Sequence, residues 1–290
     1  MELVKVTDKT YYIKNPTNIG IYKVDDDSVY LIDTGNDKDA GKKILKIVEE
    51  NGWNVKGIIT THSNADHIGG NKIIQERTNA KIYAKGIEKC FSEYPILETS
   101  FLYGGYPFKD LRNKFLLAQE SNVTEIEGSL PEGLEYFDIK GHFFDMIGIK
   151  TSDDVYFLGD SLFSDETISK YHVFFIYDVK EFLNTLDYLS NLSGKMYIAS
   201  HCEATSDLSE LITKNRNKVN EIIDLVYSLC GEELIFEDIL KRVFDHYGLL
   251  MNAGQYILVG SSIKSYLSYL YDEGKIMYIF KDNKMYWKQK

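Results

Sequence analysis

The stretch Thr61–His67, THSNADH, sets His62, Asp66 and His67 within six positions of one another. They come directly after an apolar run, "KGIIT", that reads as a buried strand. Three further residues of the same chemical kind stand at similar places: His142 in "KGH", Asp160 in "FLGD" and His201 in "IASH". Imidazole and carboxylate are the side chains that hold zinc where a coordination position must stay open for water or substrate. One histidine at a strand end is more often a hydrogen-bonded structural residue. Four of the six histidines in such places, together with two acids, point instead to a metal centre assembled where strand ends converge. Asn64 is the irregular member, because an amide oxygen is a poor zinc donor beside imidazole.

The elements that must position these residues can be read from hydrophobic periodicity. "TYYIKN", "IGIYKV" and "SVYLIDTG" read as strands, "DKDAGKKILKIVEENG" as a helix with Ile44, Leu45, Ile47 and Val48 on its buried stripe, and "VKGIITTH" as the next strand. "IGGNKIIQERTN" is a further helix and "AKIYA" a further strand, with Gly69 and Gly70 either making a tight turn or opening the helix to substrate. A second series, "LEYFDIKGH", "MIGIKTS", "DVYFLGD", "DVKEFLNTLDYLSNL" and "KMYIASH", repeats the strand-rich and βα rhythm. Between the two series, residues 91–117 carry aromatics around Gly104, Gly105 and Pro107, suited to a substrate entrance, to covering a core or to a subunit contact in a homo-oligomer.

From about Asp207 the chain turns helical and ends in a hairpin candidate, "KIMYIFKDNKMYWKQK", an arrangement similar to a winged helix. Lys275, Lys281, Lys284, Lys288 and Lys290 lie in that wing, but from Arg216 onward Asp and Glu are as numerous as Lys and Arg. Packing or dimerisation is therefore the expected use of this module rather than reading nucleic acid. The expected division is 1–205 for a metal-hydrolase domain and 206–290 for the C-terminal module.

The motif order resembles that of the metallo-β-lactamase-fold superfamily. Its members carry an acid after an early strand, an HxHxDH motif, a later His, a bridging Asp and a final His. Asp33 in "LIDTG", "THSNADH", His142, Asp160 and His201 match these in order over residues 1–205. The resemblance implies an α+β fold, an αββα sandwich, with the site on the edge where its halves meet. It implies one metal position made by Asp66, His67 and His201 with Asp160 shared, and another made by His62, position 64 and His142. Asp33 would support the loop without being a ligand. With asparagine at position 64, one zinc is expected to be held firmly and a second weakly or not at all; iron and manganese remain alternatives. His172 and His246 match no motif position, and Cys202 is expected to be structural.

The chemistry implied is hydrolysis by metal-activated water, with Asp66 moving the proton and Asn64 and His62 able to donate hydrogen bonds. A small thioester, lactone or lactam is the expected substrate class. A phosphodiesterase or endoribonuclease, a redox relative and a non-catalytic metal-binding scaffold are the alternatives. A formal net charge of -11 disfavours polyanionic partners. No long apolar run suggests a membrane span, the N-terminus has no signal-like apolar core, and the three cysteines form no CxxC pair, so a cytoplasmic protein is expected.

Overall fold

The computed structural model describes residues 1–290. The first sheet is built from β1 (Glu2–Lys5), β2 (Thr10–Lys14), β3 (Ile19–Lys23) and β4 (Ser28–Ile32), which form an antiparallel meander. The chain then continues through α1 (Lys38–Glu50), β5 (Asn54–Ile59), α2 (Ala65–Ile68), α3 (Asn71–Thr78), β6 (Lys81–Ala84), α4 (Ile87–Glu93), α5 (Ile96–Tyr103) and β7 (Val123–Glu125). Strands β4, β5, β6 and β7 pair in parallel, and the seven strands lie in sequence order. Helices supply the crossovers that parallel pairing requires.

The second sheet comprises β8 (Leu134–Asp138), β9 (Ile147–Thr151), β10 (Val155–Phe157) and, after α6 (Asp165–Tyr171) and α7 (Val179–Leu189), β11 (Met196–Ile198). Its order is β11-β10-β9-β8, with β10 and β11 parallel. The two-residue alternation of strand side chains fills two layers at once. In β3, Ile19 and Ile21 face the helices with Ile44, Val48, Ile73 and Ile74, whereas Tyr22 enters the layer between the sheets with Ile32, Ile59, Ile147 and Phe157. Gly20 also faces that inner layer, where an added Cβ would lie 2.7 Å from the Phe157 ring. These layers make the αββα sandwich expected from the sequence.

Asp37 caps α1 by accepting from the Asp39 and Ala40 amides, which is worth about 1 kcal/mol. The helix buries Ala40, Gly41, Ile44 and Val48 along one face. Leu45 and Ile47, read as part of the stripe, lie at its margin because the true face is centred one residue away.

The C-terminal part contains α8 (Ser209–Leu229), β12 (Leu234–Ile235), α9 (Phe236–Tyr247), α10 (Ala253–Asp272), β13 (Ile276–Lys281) and β14 (Lys284–Gln289). The wing is present, with β14 central between β12 and β13. Two of its lysines are committed to Glu233, Lys288 at 3.1 Å and Lys281 in closer contact. Helix α10, in the place of a recognition helix, buries Ile257, Val259, Ile263, Tyr266, Leu267 and Leu270. It packs on α5, α7 and α8 and leaves Tyr256, Lys264, Ser268 and Tyr271 exposed along its outer side. Apolar residues of α8, α9 and α10 form one continuous cluster with Leu158, Phe163, Phe174 and Phe182.

Candidate metal centre

Strand ends of both sheets meet at one edge and deliver the site. Asp33 follows β4, His62 follows β5, Asp160 follows β10, and His201 follows β11, while His142 lies in the loop entering β9. Backbone bonds tie these ends together: Asp33 donates to Ile59, and Ser200 donates to Gly159 at 2.9 Å. The Asn18 side chain donates to the Ala199 and Cys202 carbonyls, fixing the turn that carries His201.

Each of the four histidines has its Nδ1 held by a partner outside the centre. His67 Nδ1 lies 2.8 Å from Asp33 Oδ2, His201 Nδ1 is 2.7 Å from the Pro16 carbonyl and His142 Nδ1 is 2.9 Å from the Phe175 carbonyl. His62 Nδ1 is 3.1 Å from Thr61 Oγ1, whose own hydroxyl donates to Asp33. A proton on Nδ1 directs the Nε2 lone pair into the site, the usual arrangement of imidazoles that bind metal. Asp33 is central to this pattern, since it also accepts from the Thr61 amide. It adopts φ 61°, a conformation unusual for a non-glycine residue and held here by those three hydrogen bonds.

The carboxylates close the centre. Asp160 reaches His67 Nε2 with Oδ1 and His201 Nε2 with Oδ2, both at 3.2 Å, and Asp66 Oδ2 lies 3.4 Å from His201 Nε2 and 3.7 Å from His67 Nε2. Thr17 donates to Asp66 Oδ2 at 3.0 Å. Ligand atoms of Asp66, His67 and His201 lie close enough to share one ion, as do those of His62, His67 and Asp160. His62 Nε2, His67 Nε2 and Asp160 Oδ1 are buried without a hydrogen-bond partner. Buried polar atoms are rarely left so, and a cation among these donors would satisfy all three.

The charges respond as a ligand cluster would. Burial pulls His67 and His201 down, but Asp160 and Asp66 outweigh it and hold both imidazoles well above their ordinary value. Burial and the neighbouring His67 depress His62. Burial pushes Asp66 and Asp160 up, but the facing histidines prevail and keep both carboxyls low. The acids are thus ionised and attractive to a cation at neutral pH.

Two buried glutamates belong to the surroundings, and sequence reasoning missed both. Glu98, on α5, lies 2.7 Å from the Asn64 amide nitrogen, and Asn64 Oδ1 lies 2.9 Å from His142 Nε2. Glu88, on α4, accepts from the Ser63 amide, the Ser63 hydroxyl and the Asp145 amide, joining the THSNADH loop to the His142 loop. Burial pushes the Glu98 carboxyl up to about 8 and that of Glu88 up to about 7. Nothing in the spacing of "IEKCFSE" or "ILETSFLY" marks these acids; only their burial does.

The structure brings together all of Asp33, His62, Asn64, Asp66, His67, His142, Asp160 and His201. Asp66, His67 and His201 lie together as in the expected first position, Asn64 stands on the Nε2 side of His142, and His62 also shares an ion-sized gap with His67 and Asp160. Gly69 and Gly70 serve packing: an added Cβ would collide with the Asn36 carbonyl carbon in the first case and sit 2.5 Å from the Thr34 carbonyl oxygen in the second. His172 stacks on Tyr247 with ring centroids 4.8 Å apart, and His246 meets the same ring edge-on. Cys202 is buried, its thiol pushed up to about 12 by burial.

A cleft of about 700 Å³ opens over the centre. One wall carries Leu102, Phe115 and Leu116 from the aromatic segment, another Phe163, Phe174 and Phe175, and a third Gln255, Leu258 and Val259 from α10. The segment read as an entrance or a core cover does both, since Leu102, Leu111 and Leu116 also pack on Ile257 of α10. No helix is long and apolar enough to cross a membrane.

Comparisons with known proteins bear on the fold and the family. A metallo-beta-lactamase family protein from Thermus thermophilus superposes with a TM-score of 0.75 at 18% identity, covering 99% of this chain and 100% of its own. A beta-lactamase domain protein from Burkholderia ambifaria gives 0.75 at 14% identity, covering 100% and 94%. Among curated sequences, a hydroxyacylglutathione hydrolase of Prochlorococcus marinus (strain MIT 9301) is 28% identical over 142 residues, 49% of this chain and 48% of that protein. One from Rhodopseudomonas palustris (strain BisB18) is 30% identical over 122 residues, 42% and 39% respectively. The chain therefore spans half or less of the length of these curated relatives. The profile of the Metallo-beta-lactamase superfamily matches residues 13–201, from β2 through His201, and the chain belongs to that superfamily.

Proposed function

We propose that this protein is a metal-dependent hydrolase that cleaves a small thioester into a carboxylic acid and a thiol. The observation that carries the reading is the set of buried, unpartnered ligand atoms on His62, His67 and Asp160, of which Asp160 lines a cleft of mixed polar and apolar side chains. The thioester bond is favoured over a lactone or lactam by the likeness to hydroxyacylglutathione hydrolases, enzymes named for hydrolysing an acylated thiol.

Zinc fits the donor set of imidazoles and carboxylates, and when bound it would polarise the scissile carbonyl and lower the pKa of water held beside it. His67 and Asp160 would hold it together with His201 and Asp66, and His62 Nε2 faces the same ion-sized gap. The chain's own part is orientation and proton traffic. Asp33 and Pro16 fix the two imidazoles through Nδ1, so neither ring rotates as substrate enters. Asp66 borders the cleft and is its proton carrier: its carboxylate takes the proton from the attacking water and returns it to the departing sulfur. The Phe163, Phe174 and Phe175 rings keep bulk water from the apolar side of the substrate.

The cleft does not favour a phosphodiester. Lys170 is the one lysine or arginine along it, against the carboxylates of Asp66, Asp160 and Glu166. A phosphodiester backbone would meet an acidic floor.

The test is a panel of acyl thioesters, lactones, cephalosporins and phosphodiesters, assayed with zinc, iron or manganese restored to chelator-treated protein. Thioester turnover that disappears with the metal is the expected result. Preference for a phosphodiester, or thioester turnover indifferent to metal, would overturn it.

A further inference from the structure

Asn64 does more than leave a ligand out. Its side chain lies between Glu98 at 2.7 Å and His142 Nε2 at 2.9 Å, while His142 Nδ1 is 2.9 Å from the Phe175 carbonyl. A carbonyl only accepts, so the Nδ1 proton of His142 is committed to Phe175. Two arrangements of the remaining protons satisfy the chain of contacts. If Glu98 carries a proton, it donates to the Asn64 oxygen, and the Asn64 amide donates to a neutral His142 Nε2. If Glu98 is ionised, it accepts from the Asn64 amide, and the Asn64 oxygen accepts from a protonated His142 Nε2. The two differ by an amide flip, which heavy-atom positions do not distinguish. In both, His142 has no free lone pair.

We propose that His142 is not a metal ligand in this protein, and that Glu98, Asn64 and His142 form a hydrogen-bonded lock standing where a second ion would bind. The inference rests on the metal-centre reading above but on none of its substrate chemistry. Three observations support the lock as a built feature. Glu98 is 5% exposed and sits on α5 with its carboxyl aimed at Asn64, an expensive placement for an acid without a polar partner. His142 Nε2 is absent from the buried atoms that lack a partner, whereas His62 Nε2 and His67 Nε2 are among them. His62 Nε2 and His67 Nε2 share an ion-sized gap with Asp160, whereas His142 Nε2 has Asn64 Oδ1 as its near neighbour at 2.9 Å. The closest carboxylate to His142 Nε2, Asp160 Oδ2 at 3.6 Å, is farther than Asn64 and lies nearer to His201. The position that the family pattern fills with histidine is thus occupied by a residue that engages the next ligand as well.

The consequence is a centre for one ion. Its test counts ions and needs no substrate. Metal-free protein is titrated with zinc against a chromophoric chelator and its bound zinc measured after gel filtration, with the imidazole nitrogens followed by two-bond ¹H–¹⁵N NMR. The wild type is expected to hold one zinc, and His142→Ala to hold one with affinity within about threefold of wild type, whereas His67→Ala loses at least a hundredfold. On adding zinc, His142 Nε2 should keep its resonance while those of His67 and His201 move. Asn64→His should bind a second zinc, and combining it with His142→Ala should abolish that second binding. Two tightly held ions in the wild type, a tenfold or greater loss of affinity in folded His142→Ala, or a zinc-dependent shift of His142 Nε2 would each overturn the proposal. Asn64→Ala guards against a folding defect in the histidine variant: it should remain folded, and His142 Nε2 should then lose its hydrogen-bonded shift.

Discussion

Replacing Asp33 by Asn isolates the orientation of His67 from everything else in the centre. Asp33 Oδ1 accepts from the Thr61 amide at 2.8 Å, and an Asn oxygen in that place preserves the bond. The amide nitrogen then takes the place of Oδ2, 2.8 Å from His67 Nδ1 and 2.7 Å from Thr61 Oγ1. Two N–H groups cannot face each other across that distance, so His67 must move its proton to Nε2 and accept through Nδ1. The Nε2 proton would point at Asp160 Oδ1, 3.2 Å away, where a lone pair had faced the ion. Backbone strain does not confound the change, because Asn accepts φ 61° at least as readily as Asp. Loss of such a supporting contact typically lowers metal affinity about 10- to 100-fold, or roughly 1.4–2.7 kcal/mol. Competition against a chelator gives the affinity, and the ¹⁵N shifts of His67 give the tautomer. Unchanged zinc affinity together with an Nδ1 proton on His67 in the folded variant would refute the reasoning.

Three further outcomes follow from the same geometry. Asp66→Asn should weaken zinc binding, since Asp66 also faces the ion, and at saturating zinc should still reduce turnover about 10²- to 10⁴-fold as the proton carrier is lost, with KM changing far less than kcat. Gly69→Ala should destabilise the fold by about 1–3 kcal/mol in urea unfolding, because its Cβ would collide with the Asp37 amide nitrogen. Glu98 gives the pH dependence: its folded carboxyl is pushed up to about 8 from a usual 4.5, so between those values the unfolded chain gives up a proton that the native protein keeps. Its contribution to stability is full below about pH 4.5 and is lost as pH rises through about 8. Glu98→Gln should flatten the decline in urea midpoint between about pH 5 and 8 by up to about 1.4 kcal/mol per pH unit, and parallel curves for the two proteins would count against a buried acid.

That these residues gather at one edge was legible in the sequence because most of them come just after a strand whose apolar pattern is strong and local. His62 after "KGIIT" and His201 after "KMYIA" need only their own strand to be placed, and parallel pairing then brings such ends to one edge. The pairing between ligands was not legible. His142 reaches Asn64 across 78 residues, and Asn64 reaches Glu98 across 34, through loops whose geometry no local pattern encodes. The same holds for Glu88, whose three donors lie on two separate loops. Helix α10 shows the opposite limit: "GSSIKSYLSYLYDEG" announced a helix, but Asn252, which caps it by accepting from the Gln255 amide, starts it earlier. That earlier turn is the part that reaches the cleft through Gln255 and Leu258.

Zinc titrated into metal-free protein while thioester hydrolysis is recorded tests the central claim most directly. The rate should rise from near zero in proportion to added zinc, break at one equivalent per chain and stay level beyond it. No thioester hydrolysis at any zinc level, or a rate unaffected by zinc, would contradict the account of this protein as a metal-dependent thioester hydrolase.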